Sequence, residues 1–76
     1  MLRKILLKKR KEKYLTQQEV ADALDITRAY YGHIETGARN PTLKLAKKIA
    51  DFYDEDVETL FFADNSNNSL QNKNSA

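Results

Sequence analysis

The chain has 76 residues, 41% of them hydrophobic, with no cysteine and a net charge of +2. That is room for one helix-stabilised domain; it excludes a disulfide framework, a thiolate metal site and wholesale disorder, and no apolar stretch suits a membrane span or a signal-peptide core, so a soluble cytoplasmic protein is expected. Charge divides unevenly: residues 1–40 carry nine Lys/Arg against five acids, while residues 41–63 carry three against five. A basic half suits a polyanion, although a solvated helix face explains the same charges.

Taken in chain order, the signals are helical throughout. Two glycines, one proline and no sustained two-residue alternation argue against strands. A first helix is predicted over Leu2–Lys13, with Leu2, Ile5, Leu6 and Leu7 on its apolar side. Thr16-Gln17-Gln18-Glu19 fits a capping box, with Leu15 and Val20 placed as a hydrophobic staple. The second helix then runs to Leu24 with Val20, Ala21 and Leu24 on one face. Asp25 tolerates the left-handed conformation that ends it, and Thr27 caps a third helix over Arg28–Thr36, closed by Gly37. Tyr31 and Ile34 share a face of that helix.

Pro41 keeps Asn40 out of the helical region, so 38–41 is a loop. Thr42 caps a fourth helix through Tyr53, offering Leu45, Ala46, Ile49, Phe52 and Tyr53 to the core. Asp56 is placed to cap a fifth helix from Val57 to Phe62. Residues 1–63 therefore read as one five-helix domain, and 64–76 as a disordered Asn/Ser-rich tail.

Two short helices joined by a three- or four-residue turn form a helix-turn-helix. Val20, Ala21, Leu24, Ile26, Tyr31 and Ile34 all point inward if the second and third helices cross. Ala21 is small where they press together. The outer face of the third helix is then Ala29, Gly32, His33 and Thr36, flanked by Arg28. It is a low surface that can lie close to a groove floor. Gly inside a helix costs about 1 kcal/mol against Ala and asks for a reason. Gly32 either allows close approach to DNA or makes room for an aromatic such as Tyr30.

Arg28 is the best candidate for a bidentate contact to guanine, with a phosphate contact or a free surface Arg as alternatives. Ala29 can meet a thymine methyl. His33 can touch a base edge or phosphate and, titrating near pH ~6.5, would strengthen binding when protonated; a surface His with no role is the alternative. Gln17 at the start of the second helix can hold a phosphate. Thr27, Arg39 and Asn40 suit backbone contacts, as does the Tyr30 hydroxyl unless it is drawn into the core.

The run Thr16-Gln17-Gln18-Glu19-Val20-Ala21, with Leu24-Asp25-Ile26-Thr27-Arg28, Tyr31, Ile34-Glu35-Thr36-Gly37 and Arg39-Asn40-Pro41-Thr42-Leu43, resembles the Cro/phage-repressor type of helix-turn-helix protein, the XRE family. The likeness covers about residues 2–62. It implies an all-α, lambda-repressor-like five-helix bundle whose third helix enters the major groove. It also implies a bacterial or phage-encoded regulator, nucleoid-associated and most simply a repressor, binding a palindromic double-stranded operator as a weak or DNA-assisted homodimer. The resemblance pairs Arg10 with Glu35 in a structural ion pair. Asp25 and Tyr14 depart from it, since Gly is common at both positions, and imply mild backbone strain or an altered turn.

Nothing points to catalysis, a cofactor or a metal. There is one histidine and no Gly-rich phosphate loop, and Asp54-Glu55-Asp56 lacks the spacing of a calcium loop. The competing function is an antitoxin or adaptor acting through protein contacts. Phe61-Phe62 would supply its apolar patch, unless one aromatic completes the core and the other is merely exposed.

Overall fold

Five helices follow in the computed structural model, which describes residues 3–62: α1 Lys4–Glu12, α2 Gln17–Leu24, α3 Arg28–Thr36, α4 Leu43–Tyr53 and α5 Val57–Phe61. There is no strand among the described residues. The tail expected over 64–76 lies outside them, as does Leu2.

The helix starts are set by side-chain caps. Thr16 accepts from the Glu19 amide at 3.0 Å and the Glu19 carboxylate accepts from the Thr16 amide at 2.8 Å, a complete capping box. Thr27 caps α3 through the Tyr30 amide, and Thr42 caps α4 through the Leu45 amide. Asp56 precedes α5 in extended conformation but makes no side-chain cap, contrary to expectation. That helix ends at Phe61, and Phe62 turns out to solvent.

The helix ends are set by backbone conformation. After α1, α2 and α4 the same closure recurs. The Leu15, Ile26 and Glu55 amides reach back to the carbonyls of Arg10, Ala21 and Ala50, and the amides of Tyr14, Asp25 and Asp54 to those of Lys11, Asp22 and Asp51. This is the Schellman pattern, which needs a left-handed residue in the middle. Here that residue is Tyr14 (φ 58°), Asp25 (φ 61°) and Asp54 (φ 56°). The turns are therefore not altered; the strain of a non-glycine residue is accepted in place. Only α3 closes on a glycine, Gly37, at φ 84°.

One core joins all five helices: Leu6, Val20, Ala21, Leu24, Tyr31, Ile34, Leu45, Ala46, Ile49, Ala50, Tyr53, Leu60 and Phe61. Ile5, Leu15, Ile26, Tyr30, Phe52 and Val57 pack against its edge, so Ile26 and Phe52 lie less deep than their spacing suggests. Helix α2 packs on α3, α4 on α5, and α1 reaches both α3 and α5. Inside this apolar core the Tyr31 and Tyr53 hydroxyls share a hydrogen bond of 2.7 Å. Burial pushes both phenols up, Tyr53 to about 12.

Candidate nucleic-acid interface

The helix-turn-helix is α2, the turn 25–27 and α3. Val20, Ala21 and Leu24 of α2 and Tyr31 and Ile34 of α3 are buried between them. That burial turns Arg28, Ala29 and His33 outward, and all three are exposed; Gly32 is half-buried. The Lys48 ammonium on α4 donates to the Leu24 carbonyl at 3.1 Å, satisfying an acceptor at the end of α2.

Beneath this face lies a charged network. Glu35 is the buried charged residue of the core, 2% exposed. Arg10 grips its carboxylate with two nitrogens: Nε donates to Oε2 at 2.6 Å and Nη2 to Oε1 at 3.2 Å. Arg10 Nη1 donates to the Leu15 carbonyl at 2.9 Å, tying the α1–α2 turn to the same group. Gln17 Nε2 adds a third donor to Glu35 Oε1 at 3.0 Å. Burial opposes ionisation of Glu35, but hydrogen bonds from Arg10, Gln17 and Tyr31 outweigh it and hold the carboxyl below its ordinary 4.5.

The network extends to the surface through Gln17, whose Oε1 accepts from Arg28 Nη1 at 3.0 Å. The same amide lies over Gly32. A Cβ there would meet Gln17 Oε1 at 3.4 Å, with Nε2 and Cδ next, an ordinary contact, so the space above the glycine is filled by Gln17 and not by Tyr30. Tyr30 instead lies half-buried at the core edge with the Arg39 guanidinium 5.6 Å from its ring centroid.

Arg3, just ahead of α1, ties three elements together. Its amide donates to the Glu35 carbonyl and its Nε to the Ile34 carbonyl, both at 2.8 Å; Nη2 donates to Asn40 Oδ1, and the guanidinium stands 5.1 Å from the Phe61 ring centroid. No local spacing reveals this role, because the partners lie more than thirty residues away. The structure thus places Arg28, Ala29, Gly32 and His33 together on one face. It sets Gln17 against that face, Thr27 at its start, and Arg39 and Asn40 in the loop after its far end.

Among the described residues, no cluster of His, Asp and Glu could hold a metal ion, and no helix is long and apolar enough to cross a membrane.

A short helix crossing an outward-facing second helix, capped at both starts, defines a helix-turn-helix protein. The helix-turn-helix family model matches residues 6–60, and the chain belongs to that family, in its XRE branch of DNA-binding regulators. It is similar to an uncharacterized HTH-type transcriptional regulator of Bacillus subtilis, YqaF, at 48% identity over 72 residues, covering 95% of this chain and 93% of that protein. A second such regulator of the same organism, YqaE, is 37% identical over 90% of this chain and 59% of its own length. The ImmF control region 10 kDa protein of Bacillus phage phi105 is 42% identical over 52 residues, 68% of this chain and 58% of that protein. No solved structure matches the chain significantly.

Proposed function

We propose that the chain is a sequence-specific double-stranded DNA-binding repressor that inserts α3 into the major groove. The observation that carries this reading is the outer face of α3, where Arg28, Ala29 and His33 are exposed around Gly32 on a helix pinned from behind by the Arg10–Glu35 pair. Arg28 reads guanine, Ala29 meets a thymine methyl, and Gly32 and His33 face base edges. Gln17, Thr27, Tyr30, Arg39 and Asn40 contact the sugar-phosphate backbone. The Gln17 side chain is already committed to Glu35 and Arg28, so its phosphate contact comes from the backbone amide at the start of α2. Asn40 Oδ1 accepts from Arg3, which leaves its amide nitrogen to donate.

The operator is a palindrome read by a homodimer that forms weakly or on DNA. Leu43 is 80% and Phe62 55% exposed, and both line a groove of about 460 Å³ with Val57 and Phe61. A projecting aromatic beside an apolar groove is self-complementary and suits a second copy of the chain. The same patch favours the second reading, an adaptor or antitoxin whose partner is another protein. A role in gene control is supported by the similarity to a phage control-region protein.

Selection of bound DNA from a random duplex pool, followed by salt titration of the winner, separates the two readings. A single enriched palindrome with steep salt dependence is expected; sequence-blind micromolar binding overturns the repressor reading and favours the adaptor.

A further inference from the structure

Four described residues close helices or turns at positive φ: Tyr14, Asp25, Gly37 and Asp54. Glycine adopts this conformation freely, and aspartate is several-fold enriched in it; a bulky tyrosine there is an outlier. The hydrogen bonds of the Tyr14 and Leu15 amides that close α1 would form equally with glycine there, and the Tyr14 side chain adds no packing: it is 93% exposed, the most exposed large hydrophobic side chain described, so the fold gives no reason for a tyrosine. Strain held at an exposed aromatic points to an external contact.

The surroundings say which contact. Tyr14 follows Lys13 directly, and Lys11 lies one turn back; both are exposed. Its neighbour Leu15 is fixed by Arg10, the same guanidinium that grips Glu35 beneath the reading face. Three residues further on, Gln17 touches Arg28 at 3.0 Å. Three residues span at most about 11 Å. The major groove is about 12 Å wide, so with α3 seated in it a phosphate wall stands within that reach of Gln17.

We propose that Tyr14 is a DNA-backbone contact. Its hydroxyl donates to a phosphate oxygen flanking the base pairs read by α3, and Lys11 and Lys13 neutralise the phosphates beside it. The turn between α1 and α2 thereby extends the footprint of the helix-turn-helix. This rests on the DNA-binding reading above.

The test compares the full chain with Tyr14→Phe and Tyr14→Gly on the selected duplex, by fluorescence anisotropy and thermal melting. Tyr14→Phe keeps the strain and the ring, so its Tm stays at the wild-type value while affinity falls about tenfold, the size of a hydrogen bond to a charged acceptor. Tyr14→Gly relieves the strain, so its Tm rises by several degrees while affinity falls by at least as much. Because the phenol is neutral, neither variant changes the salt slope, whereas Lys13→Ala lowers it by about one. Wild-type affinity in both tyrosine variants overturns the inference and leaves the DNA-binding reading standing, as a contact to a protein partner would require. Failure of the wild type to bind any duplex refutes that reading and the inference together.

Discussion

Glu35 concentrates much of the molecule's electrostatics in one side chain. It is buried, accepts from Arg10 at two oxygens, and receives a further hydrogen bond from Gln17. Removing one partner of such a pair leaves an uncompensated charge, which costs about 3–5 kcal/mol. Glu35→Ala should therefore unfold at much lower urea than the wild type. The pH dependence follows from the direction of the shift. A carboxyl held below 4.5 contributes stability that is present above pH 4.5 and is lost as pH falls through its folded value. Glu35→Gln, which cannot ionise, should show a flatter stability profile below pH 4.5 than the wild type; parallel acid profiles would show that the pair adds no linkage. Gly32 illustrates the opposite case, a residue whose role in the fold is light. A methyl there meets Gln17 at ordinary contact distance, and Ala favours the helix by about 1 kcal/mol. Gly32→Ala should raise the melting temperature, while Gly32→Leu must displace Gln17 and loosen Arg28. Equal DNA affinity for all three proteins would remove Gly32 from the reading face.

At the scale of the helices, starts are plainer in the sequence than ends. A Thr three residues ahead of a Glu has one good local use, and the capping box at Thr16 forms as the spacing implies. Ends depend on left-handed residues, which are plain in sequence when they are glycine and obscure when they are Asp54; at Tyr14 only the family likeness points to the strain. The fifth helix, with no side-chain cap at Asp56, is the least determined locally. The link between α3 and α4 was also invisible to local pattern. Tyr31 and Tyr53 look like two apolar core positions, yet their hydroxyls meet across 22 residues of sequence. Tyr53→Phe takes from the Tyr31 hydroxyl its partner on α4, leaving it the Glu35 carboxylate, and should cost about 0.5–1.5 kcal/mol at neutral pH. Both phenols are raised above 10.0, so their contribution is complete below pH 10 and is lost as pH rises toward about 12. Urea titrations at pH 9 and pH 11 should show a smaller drop for Tyr53→Phe than for the wild type; an equal drop would place the alkaline sensitivity elsewhere.

Across the whole molecule, the reading face was legible because it is the remainder of a periodic pattern. Once Tyr31 and Ile34 go inward, Ala29, Gly32, His33 and Thr36 face outward, and Arg28 flanks them at the N-terminal end. The supports of that face were less legible. The Arg3 bridge to Ile34, Asn40 and Phe61 and the double use of Gln17 depend on chain segments brought together only by folding. The charge pattern of the surface then decides how binding should respond to salt. Arg28 and Arg39 stand near opposite ends of the recognition unit, one proposed to read a base and the other to hold the backbone. Loss of a phosphate contact weakens all sequences alike and releases one fewer counterion, whereas loss of a base contact relaxes preference at one position. Arg39→Ala should therefore lower affinity uniformly and flatten the slope of log affinity against log salt by about one per protomer. Arg28→Ala should cost about 1–3 kcal/mol on the selected operator and little on duplexes mutated at its base pair. If the two variants behave alike in both assays, Arg28 is a phosphate contact, and the sequence preference must come from His33, Ala29 or the shape of the DNA itself.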